Sequence, residues 1–163
     1  VFNILGPLCN PAKVKRQLMG IFNGDLTEIV ANVLQKLGSV HAMIVHGDDG
    51  LDEITTTDNT KISHLNNNGE IVTSSFSAKD HGFELSSLKE LKGGMPNENA
   101  KIIQNILSGN EIGKKSDIVI LNAAAGILIG GKANSMDEGI SISRDIVSSG
   151  AAIDVLNKLK AVK

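Results

Sequence analysis

An α/β fold with a mainly parallel sheet, a β-hairpin and surrounding helices is predicted by three consecutive stretches of the sequence. Residues 17–22 form a short apolar run of strand length. Leu26, Ile29, Val30, Val33, Leu34 and Leu37 then recur at helical spacing. Residues 40–45 are a continuous apolar run, as a strand buried on both faces requires. Strand, amphipathic helix and buried strand in that order make a βαβ unit, whose crossover leaves its two strands parallel.

The remaining elements follow in chain order. Gly6-Pro7-Leu8-Cys9-Asn10-Pro11 is expected to end any preceding helix, because each proline disfavours the α region for the residue before it. Gly24-Asp25 opens the amphipathic helix and Gly38 closes it. Residues 60–65 and 70–76 flank Asn66-Asn67-Asn68-Gly69, and since Asn and Gly tolerate positive φ the pair reads as a hairpin. Beyond Gly93-Gly94 the chain turns helical, with Asn97 or Asn99 as the expected cap of a helix reaching Leu107 and Gly109 just past it. Residues 116–130 are apolar all round, which predicts a buried helix. Ser135 with Glu138 three residues on is a capping box that opens a helix to about residue 149. Gly150 breaks that helix, and residues 151–159 form the last one.

Composition narrows the function. At 163 residues the chain can bury one real core, and with four Phe and no Trp or Tyr that core must be aliphatic. Few aromatics and a net charge of −2 argue against a surface for nucleic acid or an anionic membrane. The longest apolar run, residues 118–131, is shorter than the roughly 20 residues of a membrane span, and no charged segment precedes an apolar one at the start, so no signal peptide is expected. Cys9 is the single cysteine; it has no disulfide partner within the chain and no base beside it to make it a nucleophile. The chain starts at Val1 in mid-pattern without an initiator Met, and is therefore expected to be a fragment or processed piece.

The densest chemistry is His46-Gly47-Asp48-Asp49-Gly50-Leu51-Asp52-Glu53-Ile54, directly after a buried strand. In open α/β sheets ligands bind at the carboxyl ends of the strands. Four carboxylates within six residues repel one another unless a cation neutralises them, and carboxylates are the ligands that Mg²⁺ prefers. Charge density alone leaves a solvated acidic turn equally open. An EF-hand is excluded by the spacing. His41, His46 and His64 read as structural.

The segments Phe2-Asn3-Ile4-Leu5-Gly6-Pro7-Leu8-Cys9-Asn10-Pro11-Ala12 and His46-Gly47-Asp48-Asp49-Gly50-Leu51-Asp52-Glu53 resemble the two signature stretches of the anthranilate phosphoribosyltransferase family. Gly93-Gly94, Asn99-Ala100, Asp117-Ile118-Val119-Ile120-Leu121-Asn122-Ala123-Ala124-Ala125, Glu138-Gly139 and Ser149-Gly150-Ala151 are similar to that family as well, so the resemblance covers almost the whole chain. It implies the large domain of nucleoside phosphorylases and phosphoribosyltransferases of this type, with 1–16 as hinge and interdomain segment and 17–163 as the C-terminal part of the catalytic α/β domain.

The activity so implied is transfer of a phosphoribosyl group from phosphoribosyl pyrophosphate to the amino group of anthranilate, a cytoplasmic step of tryptophan biosynthesis. Asp52 and Glu53 match the acidic pair that binds Mg²⁺, while Asn10, Pro11 and Ala12 match residues at the anthranilate channel and the interdomain hinge. No side chain of this chain is implied as a catalytic nucleophile. The glycine-rich phosphate loop, a second magnesium ligand, a basic pyrophosphate-contacting segment and the anthranilate-binding arginine would all lie upstream of Val1. The implied parent is a homodimer built through a small helical domain, and the isolated fragment would be inactive. At Lys79-Asp80-His81-Gly82-Phe83 the chain departs from the family, His81 standing where an aromatic is usual. The alternatives are a pyrimidine-nucleoside phosphorylase-like enzyme, which the acidic motif disfavours; a non-catalytic nucleic-acid-binding relative, which the charge disfavours; and a purely structural domain.

Overall fold

The computed structural model describes residues 2–162, so the expected segments 1–16 and 17–163 extend beyond it only at Val1 and Lys163. Strand β1 (Arg16–Gly20) leads through a short 3-10 turn and helix α2 (Thr27–Lys36) into β2 (His41–Gly47). These strands pair in parallel, Arg16 opposite His41 and Gly20 opposite Val45. A hairpin follows, β3 (Asn59–Leu65) and β4 (Ile71–Ser77), and the sheet order is β1-β2-β3-β4. The βαβ unit and the hairpin thus form where the sequence predicts them.

The expectation of a mainly parallel sheet needs correcting for the described residues, because β2–β3 and β3–β4 are both antiparallel and only β1–β2 is parallel. The departure is β2–β3, where residues 48–58 contain no crossover helix, so β3 returns antiparallel beside β2. The hairpin pair is antiparallel as expected, its loop after Leu65 being far too short for a crossover. In that loop Gly69 takes φ +81°, and the Asn66 side chain accepts from the N–H groups of Asn68 and Glu70, both at 3.0 Å.

The sheet is sandwiched. Its alternating side chains send Met19, Ala42, Ile44 and Leu65 to one face, against Val30, Ala31 and Leu34 of α2. Met43, Val45 and Ile62 face the other way, against Ile120, Leu121, Ala124 and Ala125 of α5 (Lys114–Ile129). Residues 42–45 are apolar throughout because β2 is central and covered on both sides, while His41 before them is buried as a hydrogen-bonded polar group. Helix α6 (Met136–Ser148) packs on α5 at close range: a Cβ at Gly139 would stand 2.7 Å from the Ala124 carbonyl oxygen, so only glycine permits this approach. Helices α3 (Leu88–Leu91), α4 (Pro96–Leu107) and α7 (Ala151–Ala161) complete the chain. Among the described residues no helix is long and apolar enough to cross a membrane.

Three local expectations change. Helix α1 (Phe2–Leu8) runs through Gly6-Pro7 instead of ending there; Gly6 lacks the Cβ that would crowd the proline ring, and Cys9 N–H still reaches the Leu5 carbonyl at 2.9 Å. The N-cap of α4 is Met95, with Pro96 at the first turn and the Glu98 carboxylate accepting from Met95 N–H at 2.7 Å. Neither Asn97 nor Asn99 caps it; the Asn99 amide instead brackets Gly94, accepting from its N–H at 2.7 Å and donating to its carbonyl at 3.0 Å. At α6 the Ser135 hydroxyl does accept from Glu138 N–H at 3.2 Å, but the Glu138 carboxylate turns one residue further back, to Asn134 N–H at 2.7 Å.

At the amino ends of β1 and β2 lies a directed hydrogen-bond chain. Arg16 Nη1 stands 2.9 Å from the Ile129 carbonyl and 3.0 Å from His41 Nδ1, and His41 Nε2 is 2.8 Å from His64 Nε2. Arginine can only donate, so His41 must accept at Nδ1 and carry its proton on Nε2. It therefore donates to His64 Nε2, and both imidazoles are neutral. Burial first, then the neighbouring His64 and Arg16, hold the His41 pKa below its usual value, and burial does the same for His64. A depressed histidine pKa means that protons bind the unfolded chain better. The stability this chain contributes is complete above the ordinary histidine range and is lost as pH falls through it. Denaturant midpoints should accordingly drop between about pH 7.5 and about pH 5.5, with a smaller drop in a His64→Asn variant. A midpoint rising toward acid would contradict the assigned tautomers.

Candidate functional site

The acidic loop begins where β2 ends. Gly47 N–H donates to the Leu51 carbonyl and Gly50 N–H to the Gly47 carbonyl, each at 2.8 Å, and Gly50 adopts φ +91°. That tight turn needs the glycine, because a side chain is strained at such a φ. Its two neighbouring aspartates part company. Asp49 points inward and serves the loop itself: its carboxylate accepts from Leu51 N–H at 3.0 Å, from the Thr55 hydroxyl at 2.6 Å and from the Thr57 hydroxyl. Burial pushes the Asp49 carboxyl up, but these hydrogen bonds outweigh it and leave the pKa below the ordinary value. Asp48 points to solvent.

Asp52 and Glu53, the predicted metal pair, are both exposed at the carboxyl end of the parallel strands, and among the described residues neither carboxylate has a hydrogen-bond or ion-pair partner. Burial beside the sheet and then the negative charge of Asp52 hold the Glu53 pKa above its ordinary value. Burial is the larger cause and the neighbouring carboxylate adds to it. A hard divalent cation fits such a pair, which offers anionic oxygen and nothing else. No three His, Cys, Asp or Glu side chains converge among the described residues, so the pair would supply part of a coordination shell and leave the rest to water or ligand oxygens.

The backbone holding the pair is fixed from two sides. On one, Gly20 at the end of β1 lies so close that a Cβ there would overlap the Asp52 carbonyl oxygen. On the other, Asn122 of α5 accepts from Ile54 N–H at 3.0 Å and donates to the Ile54 carbonyl at 2.8 Å. His46 also braces the region, its Nδ1 donating to the Ile21 carbonyl at 2.8 Å. Gly20, Thr55 and Thr57 carried no sequence signal of this role. Asn122 stood out only as the one polar residue inside the apolar stretch of α5, with nothing local to tie it to the loop.

Asn10, Pro11 and Ala12 lie elsewhere. Asn10 and Pro11 line a cleft of about 470 Å³ with Leu34, Leu37 and Ser39, at the amino end of β1, and the acidic pair is not part of it. Ala12 N–H donates to the Asn10 side chain at 2.9 Å, making the Pro-bounded turn rigid. The structure thus does not bring the two predicted groups together. His81 has a structural role, bonded through Nδ1 to Asp137 at 2.6 Å and stacked on Phe76 with ring centroids 4.7 Å apart.

The fold and site are thus a mixed α/β sheet with an acidic loop at the carboxyl end of its parallel strands. The profile described as "Glycosyl transferase family, a/b domain" matches residues 1–153, and the chain belongs to that family. The anthranilate phosphoribosyltransferase of Acetivibrio thermocellus is 47% identical over 158 residues, covering 97% of this chain and 45% of the relative. The crystal structure of the Thermus thermophilus enzyme of the same name superposes with a TM-score of 0.88 at 33% identity, over 96% of this chain and 46% of that one. The Saccharomyces cerevisiae enzyme in complex with PRPP and Mg gives 0.84 at 27% identity, over 96% and 45%. The chain therefore spans about half the length of the curated relatives it matches.

The Gly20 contact sets a test of the loop's placement. Gly20→Ala should push Asp52 outward and cost about 1–3 kcal/mol, the usual range for overpacking, measured by chemical denaturation. A neutral substitution would mean that Asp52 is not held against β1.

Proposed function

We propose that this chain is the half of an anthranilate phosphoribosyltransferase that carries a magnesium-holding acidic pair. The full-length protein would move a phosphoribosyl group from phosphoribosyl pyrophosphate to the amino group of anthranilate, in the cytoplasm and as a homodimer. One observation carries the reading. Asp52 and Glu53 stand exposed, adjacent and unpartnered where α/β sheets bind ligands, in a chain 47% identical to an enzyme of that name.

The chemistry asks little of side-chain nucleophiles. The amino nitrogen of anthranilate bonds to the anomeric carbon as the bond from that carbon to pyrophosphate breaks, and the nitrogen then sheds a proton. Asp52 and Glu53 would hold Mg²⁺, which when bound neutralises charge on the departing pyrophosphate. Asp49, Thr55 and Thr57 keep the loop in one conformation, and Gly20 keeps the loop against the strand ends. Asn10, Pro11 and Ala12 would form the rigid turn between this domain and a mobile helical one, beside the route anthranilate takes. Rate enhancement would come from holding the reactants together and stabilising positive charge at the anomeric carbon.

In the full-length protein, Asp52→Asn with Glu53→Gln should cut magnesium-dependent turnover at least about tenfold, roughly 1.4 kcal/mol of transition-state stabilisation, with the fold intact by circular dichroism. Unchanged turnover with unchanged magnesium dependence would remove the pair from the metal site.

The 163-residue chain on its own should be silent when loss of anthranilate fluorescence is followed. Positioning gains worth roughly 7–11 kcal/mol vanish when half of what holds the reactants is missing. Turnover by the chain alone at a rate like that of the full-length protein would relocate the chemistry to this half.

A further inference from the structure

Asn122 lies outside the acidic loop in sequence, yet its side chain is spent on it. Its Oδ1 accepts from Ile54 N–H at 3.0 Å, and its Nδ2 donates both to the Ile54 carbonyl at 2.8 Å and to the Ile118 carbonyl at 2.9 Å. The last bond ties the amide to its own helix one turn back, which fixes the rotamer before it reaches the loop. The other two grip one residue of the loop on both of its backbone polar groups.

We infer that Asn122 is a positioning residue for the acidic pair, setting where the Asp52 and Glu53 carboxylates stand for a divalent cation by holding the peptide that follows Glu53. The inference rests on the reading of that pair as a magnesium site. The N–H gripped by Asn122 belongs to the peptide unit joining Glu53 to Ile54, so its orientation dictates the direction in which the Glu53 Cα presents its side chain. The Ile54 side chain is fully buried in the core between sheet and α5, which removes the remaining freedom at that end. At the other end the Asp52 carbonyl rests on Gly20.

Packing alone does not call for asparagine here. Leucine has similar size and would suit the rest of α5. Only a primary amide offers an acceptor and donors side by side, matching the N–H and C=O of one residue. An aspartate would keep the acceptor and lose both donors, turning its charge toward two carbonyl oxygens.

The test uses the full-length protein with Mn²⁺ as a paramagnetic stand-in for Mg²⁺ and inorganic pyrophosphate as the phosphate ligand. Free Mn²⁺ is read by electron paramagnetic resonance, and amide hydrogen exchange is followed in the peptide containing Ile54. Asn122→Ala and Asn122→Asp should each raise the Mn²⁺ concentration for half-saturation roughly tenfold, the usual effect of removing a group that orients metal ligands. Exchange should accelerate at Ile54 while the rest of the domain stays protected. Asp52→Asn is the control. Weakened binding in the control but not in the Asn122 variants overturns the inference and leaves the metal reading standing. Unchanged binding in all three overturns both. Loss of the folded state in both Asn122 variants also overturns it, since Asn122 would then hold the fold rather than the site.

Discussion

Helix α5 is tied to the sheet at both ends of the strands, and most of what the chain can do depends on those two ties. At its last turn the Ile129 carbonyl accepts from the Arg16 guanidinium at the start of β1. About two turns earlier, Asn122 grips the loop that leaves the end of β2. Between them Ile120, Leu121, Ala124 and Ala125 fill the space over Met43, Val45 and Ile62. Burying these aliphatic faces supplies the driving force, but non-directional burial would let the helix slide along the sheet. The two polar ties fix its axial position, and with it the height at which the acidic loop stands.

Charge is sorted along the same axis. The amino ends of β1 and β2 carry Arg16 and His41, joined there by His64 from the carboxyl end of β3, and the guanidinium is seated at the carboxyl end of α5, where a cation complements the helix dipole. The carboxyl ends of those strands carry Asp48, Asp49, Asp52 and Glu53. The two groups are handled differently. The basic cluster is satisfied internally, each ring nitrogen facing the sheet being assigned to a partner by the one-way donation of Arg16. In the acidic group only Asp49 is satisfied. Glu53 is left with a raised pKa beside Asp52, a cost that folding alone gives no reason to keep. Two adjacent carboxylates without a cationic partner, in an otherwise well-satisfied structure, are what the proposed magnesium site rests on.

Much of this was legible in the sequence, and the limits follow from what periodicity can carry. The central βαβ unit was readable because β2 is covered on both faces and α2 on one, and each condition writes its own hydrophobic period. The acidic loop was readable because its glycines and carboxylates lie within a few residues. The parallel β1–β2 pair and the antiparallel hairpin were both readable, but the direction of β2 against β3 was not, since a βαβ signature fixes one pairing and the Asn66–Gly69 loop another, and neither bears on the pairing between them. Caps failed where competing acceptors exist. Glu98 reaches Met95 N–H before Asn97 or Asn99 can act, and Glu138 finds Asn134 N–H one residue beyond the expected one. Gly20 and Asn122 were invisible in their roles, because each acts on a residue more than thirty positions away and leaves no local pattern.

Those two residues explain how an exposed loop can be a precise one. Exposed turns are ordinarily mobile, and a cation held by a mobile pair of carboxylates would lose affinity to the ordering it imposes. Here the side chains are free while the backbone beneath them is not. Gly20 blocks retreat of Asp52 toward the sheet, Asn122 sets the peptide after Glu53, and Asp49 with the Thr55 and Thr57 hydroxyls stiffens the turn between β2 and the pair. Mg²⁺ is demanding about geometry and reluctant to shed water, so a site for it gains more from two pre-set carboxylates that leave room for water and phosphate oxygens than from a closed cage.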